Sequence, residues 1–333
     1  MTTLADNEIR TRSCPECYLC GAKGELLYQG LRDRLFGAPG TWDLKRCPDP
    51  ECGLVWLDPM PIEEDIGKAY QTYCTHRKDG NSRHYTGLRR FVRSTLRITY
   101  DLVLLATPIG WVRKRLNFMY LANTRPGRLL EVGCGNGQRL MQFRALGWQV
   151  EGQEVDPNAA AFTHTSCGIN VHLGKLDTLG LSPATFDAII MNHVIEHVHD
   201  PVALFAECHR LLKPGGKLVA ATPNIASYGH KRFGSFWMAL DPPRHLHLFS
   251  CQALQQVAET AGFTHYELWT TNANGHLIAA ASLDIQHYGR HIMGTDSTKL
   301  STHLTGAFFN LWAYIICLGL THSGEACILK AMK

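Results

Sequence analysis

From Arg128 onward the chain alternates short apolar runs with helical segments, and that alternation admits few folds besides a parallel sheet with crossover helices. The spacing predicts strands at 128–132, 149–154, 169–172, 186–191 and 217–221, with helices at 137–146, 157–167 and 201–212. After a proline-rich loop a helix at 251–261 and a strand at 264–271 follow, and GEACILKAMK supplies a last strand. Roughly fifty residues separate those two final strands, far more than a hairpin connection needs. That stretch, about 272–322, is expected to be a helical insertion on the substrate side of an α/β domain spanning 126–333.

The preceding third of the chain has a different texture. Residues 1–61 are rich in Cys, Gly and Pro with only short apolar runs such as GLVWL, and read as a small loop-rich module. Residues 62–125 form an amphipathic linker or cap, which Pro108–Gly110 should break into two helices. Arg89, Arg90, Arg93, Arg97, Arg113, Lys114 and Arg115 lie beside its apolar positions. They read as a solvated helical face, with a weak peripheral membrane contact as the alternative. A hydrophobic fraction of 45% suits a globular chain, and a net charge of +4 is too small to announce a nucleic-acid partner. Twelve cysteines in a chain of this length, with a polar MTTLADNEIR start, point to a reducing cytoplasm and not to a disulfide scaffold. The apolar runs near Leu102–Trp111 and Phe308–Leu320 are too short or too interrupted to span a membrane.

Cys17-Tyr-Leu-Cys20-Gly and Cys47-Pro-Asp-Pro-Glu-Cys52-Gly form two close cysteine pairs, each followed by the glycine that a tight turn around an ion requires. Four thiolates can close a tetrahedral zinc site, structural because no coordination position stays open. Cys14 competes for a place, since Cys14-Pro-Glu-Cys17 also has the two-residue spacing.

In LLEVGCGNG a strand runs into a glycine-rich turn and then a helix, as in nucleotide-binding folds. Its spacing is GxGxG, and Glu131 sits just before the first glycine. A carboxylate there repels a dinucleotide pyrophosphate and attracts the cationic amino acid portion and sulfonium of S-adenosylmethionine (SAM). Glu154 ends the second strand where such folds bind ribose hydroxyls; Asp156 is the alternative ligand, or caps the helix that begins at Pro157. Leu176 and Asp177 are placed to contact the adenine, with Asp177 as a plain loop aspartate the alternative.

LLEVGCGNG, GWQVEGQEVDP, FDAIIMNHVIEHVHDP and LLKPGGKLVAATPN together resemble the class I SAM-dependent methyltransferases, especially the branch similar to ubiquinone-pathway O-methyltransferases. The motifs cover about 126–270. The resemblance implies a Rossmann-like seven-stranded sheet of order 3-2-1-4-5-7-6 with an antiparallel last strand. It also assigns Glu131, Gly133, Gly135 and Glu154 to SAM, and Cys134, Gly137, Val155 and Asn192 complete the expected cofactor set. The Cys-rich start, with GLRDRLFGAPGTWDLKRC and GLVWLDPMP, is similar to bacterial methyltransferases of glycan and secondary-metabolite pathways.

Methyl transfer to a hydroxyl needs a positioned base. His193 follows the fourth strand at the carboxyl edge where open α/β sheets bind ligands, and is the candidate; packing beside adenine or capping a helix is its alternative. His197 reads as structural. In the loop after the fifth strand, Pro-Pro-Arg244-His245 is expected over the same edge. Arg244 either orients an anionic substrate or pairs with a structural acid, and His245 joins the catalytic candidates. The expected activity is methylation of a small-molecule or sugar acceptor, with the methylated atom open. An RNA methyltransferase gripping nucleic acid through the zinc module and a non-catalytic SAM-binding protein are the rival readings.

Overall fold

In the computed structural model, which describes residues 8–71, 108–292, 300–319 and 322–333, the Cys-rich segment folds as five short strands. They are β1 (Thr11–Arg12), β2 (Glu25–Leu31), β3 (Trp42–Arg46), β4 (Val55–Leu57) and β5 (Met60–Pro61). β2, β3 and β4 make an antiparallel sheet, and β1 pairs with β5. Arg89, Arg90, Arg93 and Arg97 of the expected basic helix lie outside the described residues. Arg113, Lys114 and Arg115 fall in α1 (Pro108–Asn117), where the Arg115 guanidinium lies over the rings of Trp111 and Tyr120.

The alternating half follows the predicted order: β6 (Arg128–Val132), α2 (Gln138–Ala145), β7 (Gln149–Glu154), α3 (Pro157–Cys167), β8 (Asn170–Leu173), β9 (Phe186–Asn192), α4 (Pro201–Leu211) and β10 (Leu212–Pro223). Asp156-Pro157 and Asp200-Pro201 start α3 and α4 alike, the aspartate accepting a backbone N–H and the proline presetting the first turn. β10 is longer than expected; its pairing with β9 shifts between Leu212 and Lys217 and then continues to Ala221. Then come α5 (Tyr228–Phe233), β11 (His247–Leu248), α6 (Cys251–Thr260), β12 (His265–Thr271), α7 (Gly275–Tyr288), α8 (Leu300–Gly319) and β13 (Ala326–Met332). The sheet order is β8-β7-β6-β9-β10-β13-β12, the expected 3-2-1-4-5-7-6, with β13 antiparallel to both neighbours.

The central strands are buried on both faces, as parallel strands must be when helices cover the sheet. Alternate residues divide between two apolar cores: Leu129, Ala188, Ile190, Val219 and Ile328 on one face, Leu130, Ile189, Met191, Leu218 and Leu329 on the other. The second core continues through Leu44, Leu54, Trp56 and Leu57 of the N-terminal strands. That continuity rests on β11, a strand from the chain after β10 that joins the N-terminal sheet by pairing with β4, His247 opposite Trp56 and Leu248 opposite Val55. α7 and α8 pack against each other between β12 and β13, close enough that a Cβ on Gly306 would lie 2.7 Å from the His276 carbonyl. Among the described residues no helix is long and apolar enough to cross a membrane.

Candidate active site and cysteine cluster

The turn after β6 is shaped by three glycines with φ of 65° at Gly133, 52° at Gly135 and 69° at Gly137, a region closed to most side chains. A Cβ at Gly133 would meet Val194 at 2.7 Å, and one at Gly137 would meet Thr163 at 2.5 Å. Beneath the turn Glu131 is 3% exposed; Arg139 donates to its Oε1 at 2.8 Å, while its buried Oε2 has no partner. Burial pushes this carboxyl up to about 7 against the pull of Arg139. Glu154 fixes the next strand end: its Oε2 accepts the Gly135 N–H at 2.8 Å and its Oε1 accepts those of Val155 and Asp156. Asp156 caps α3 through the Asn158 N–H at 2.8 Å.

Gln153, which the motif reading missed, accepts the Gly133 N–H and donates to the Gly174 carbonyl, tying the glycine turn to the loop after β8. Leu176 is buried and Asp177 exposed in the short helical turn that follows β8. Cys134 is buried, its thiol pushed up to about 12 by burial, Val155 is exposed, and Asn192 is half-buried at the end of β9. A carboxylate oxygen buried without a donor suits a cationic ligand and opposes a pyrophosphate. These residues therefore fit SAM better than a dinucleotide.

One residue past β9 the backbone of His193 turns into the left-handed region, φ 55°, with its N–H on the Ala221 carbonyl. A non-glycine residue held there is costly and commonly marks a functional position. The turn leaves the side chain 41% exposed and places Nδ1 3.1 Å from Glu196 Oε1. Glu196 is fully buried, and Thr222 donates to its Oε2 at 2.9 Å. Burial raises the Glu196 carboxyl, but the hydrogen bond from His193 outweighs it and holds the group below the usual carboxylate range. His197 packs behind, its Nδ1 on the Arg244 carbonyl and the Tyr70 hydroxyl, as a structural histidine would.

Arg244 and His245 depart from the expected catalytic placement. Arg244 is fully buried: its guanidinium donates to Asp33 at 2.8 Å, to the Ala69 carbonyl at 3.1 Å and to Asp241, and lies over Phe36. Of its two anticipated roles, pairing with a structural acid is the one the geometry realises. His245 is enclosed too, with Nδ1 on the Ala239 carbonyl at 2.7 Å and its ring 4.8 Å from that of His197; burial lowers its pKa to about 4. A neutral histidine packed there supports the His193–Glu196 pair from behind.

A profile of the methyltransferase-domain family matches residues 110–268. A protein of Mycolicibacterium smegmatis named as a probable S-adenosylmethionine-dependent methyltransferase is 30% identical over 182 residues, 54% of this chain and 68% of the relative. The chain belongs to the SAM-dependent methyltransferases. A ubiquinone biosynthesis O-methyltransferase of Xanthomonas oryzae pv. oryzae is 32% identical over 128 residues, and this methyltransferase spans about half of that relative, 54%. A SAM-dependent methyltransferase structure from Archaeoglobus fulgidus aligns over 70% of this chain and 99% of its own, at 16% identity and a TM-score of 0.46.

In the N-terminal segment of the methyltransferase, Cys17, Cys20, Cys47 and Cys52 bring their four sulfurs within 4.8 Å of one another. Cys17 and Cys52 approach to 3.6 Å and Cys20 and Cys47 to 3.3 Å. Thiolates about 2.3 Å from a shared zinc sit at comparable separations, so the residues fit a tetrahedral ion. Cys14 stands outside the group: its N–H goes to Asp58 and its carbonyl accepts from Trp56 Nε1. In a second cluster with metal-ligand spacing, Glu196, His197 and His245, both carboxylate oxygens already accept from His193 and Thr222.

Proposed function

We propose that this methyltransferase transfers the methyl group of SAM to a hydroxyl of a small-molecule or sugar acceptor, with His193 as general base. The observation that carries the reading is the His193–Glu196 pair at the carboxyl edge of β9. With its Nδ1–H given to Glu196, His193 keeps the lone pair on Nε2 to take the acceptor proton as the methyl group is attacked. Glu196, anchored by Thr222, stays anionic and stabilises the imidazolium that forms. Bound at the glycine turn, SAM supplies an electrophilic methyl carbon on a cationic sulfur. Glu131 provides the matching negative charge, Glu154 the acceptor for the ribose hydroxyls, Gly133, Cys134, Gly135 and Gly137 the close backbone approach, and Val155, Leu176, Asp177 and Asn192 the surrounding contacts. Zinc on the four cysteines holds the N-terminal strands and takes no part in the chemistry.

The test is turnover of labelled SAM with fractionated small-molecule acceptors by wild type and His193→Ala. The variant is expected to lose about 10²- to 10⁴-fold in kcat with SAM affinity unchanged. A variant that turns over at the wild-type rate removes His193 from the mechanism.

A further inference from the structure

A shallow cleft, open to solvent, lies between the loop after β2, the loop that carries Trp237 and Asp241, and α7. Trp237, Leu240 and Ile285, each nearly enclosed, give it an apolar wall. Its charged groups are Arg32, Arg34 and Asp241, and Asp241 shares the buried Arg244 guanidinium with Asp33. Arg34 is half-buried; its guanidinium donates to the Ser235 carbonyl at 2.9 Å and lies over the Phe236 ring, and burial pushes its pKa down. Arg32 is exposed and makes no ion pair among the described residues. The nearby acids face elsewhere: Asp33 serves Arg244 and the N–H groups of Leu35, Phe36 and Ala38, and Asp284 pairs with His291. Arg32 and Arg34 thus face one concave site in which Asp241, held by Arg244, is the one lining carboxylate, and the site is left with a net positive charge. A concave site with that charge attracts an anionic ligand.

We propose that this cleft is the subsite for a phosphate group of the methyl acceptor, so that the acceptor is a phosphorylated small molecule or sugar. The identity of the ligand as acceptor rests on the methyltransferase reading above; the oxyanion binding itself does not. Two forked guanidiniums match the charge and the several oxygens of a phosphate or diphosphate. The cleft also belongs to the loop that supports the reaction edge, since the Asp241 carbonyl accepts the N–H groups of Arg244 and His245, and His245 packs on His197. Binding energy gathered there, away from the reacting hydroxyl, serves to orient that hydroxyl at His193.

Isothermal titration of the full chain with inorganic pyrophosphate at low ionic strength tests this directly. One saturable site is expected, weakened about tenfold or more in both Arg32→Gln and Arg34→Gln. SAM titrated into the same preparations should bind equally in wild type and variants, which separates a lost subsite from a lost fold. Absence of saturable pyrophosphate binding, unchanged affinity in both variants, or succinate binding as tightly as pyrophosphate overturns the proposal. Failure of the wild type to bind SAM defeats the methyltransferase reading instead, and leaves the pyrophosphate result to be read on its own.

Discussion

Burial raises the carboxyl groups of Glu131 and Glu325 alike to about 7, yet their surroundings differ. Glu131 keeps an unpartnered oxygen beside the glycine turn, where a cation can relieve it. Glu325, 1% exposed, accepts the Gly229 N–H at 2.7 Å and Trp237 Nε1 at 3.1 Å. Its folded pKa lies above the 4.5 of the free side chain, so the native state holds the proton more tightly than the unfolded chain does. Its contribution to stability is therefore complete below that value and is lost as pH rises through about 7. In Glu325→Gln the fall in unfolding free energy between pH 5 and pH 8 should be smaller by about 3 kcal/mol, measured by denaturant melts. An unchanged pH slope would show that Glu325 is ionised in the native state. At this scale the sequence revealed residues whose place follows from the glycine turn: Glu131, Glu154 and the position of His193. It hid Glu196 and Gln153, whose roles depend on which way a buried side chain turns. It was ambiguous for Arg244, because the deciding partner, Asp33, stands 211 positions away.

Among the secondary elements, those with strong local signals were legible almost to the residue. Apolar runs marked β6 and β9, since burial on both faces leaves little freedom in composition, whereas β7 (QVEGQE), with one apolar side chain, was marked by Gly147 before it and by Asp156-Pro157 after it. β11 was not legible, being two residues long and existing only because β4 offers an edge. The cysteine pairs flank that same small sheet: Cys47 directly follows β3, and its N–H returns to the Leu54 carbonyl just before β4. An ion on the four sulfurs would thus tie β3 to β4, and through β4 to β11. Protein purified without chelators is expected to carry about one zinc per chain, and stripping it should lower the melting temperature. Metal-free protein that melts as the untreated protein does would remove the ion from the account.

Taken as a whole, the molecule sets an N-terminal sheet, a seven-stranded sheet and a helical insertion around one edge. The N-terminal segment is more than an appendage: it supplies Asp33 to the buried Arg244, shares a core with the large sheet and contributes Arg32 and Arg34 to the cleft. Composition showed that such a segment existed, but not that its sheet would borrow a strand from the loop after β10. What unites these parts is a cofactor turn whose charge is negative. Calorimetric titration with SAM and with NAD, on wild type and Glu131→Gln, tests that claim most directly. The account predicts one SAM per chain, binding weakened about tenfold by the substitution, and no heat from NAD. NAD binding in preference to SAM, or a Glu131→Gln protein that binds SAM as the wild type does, would contradict it.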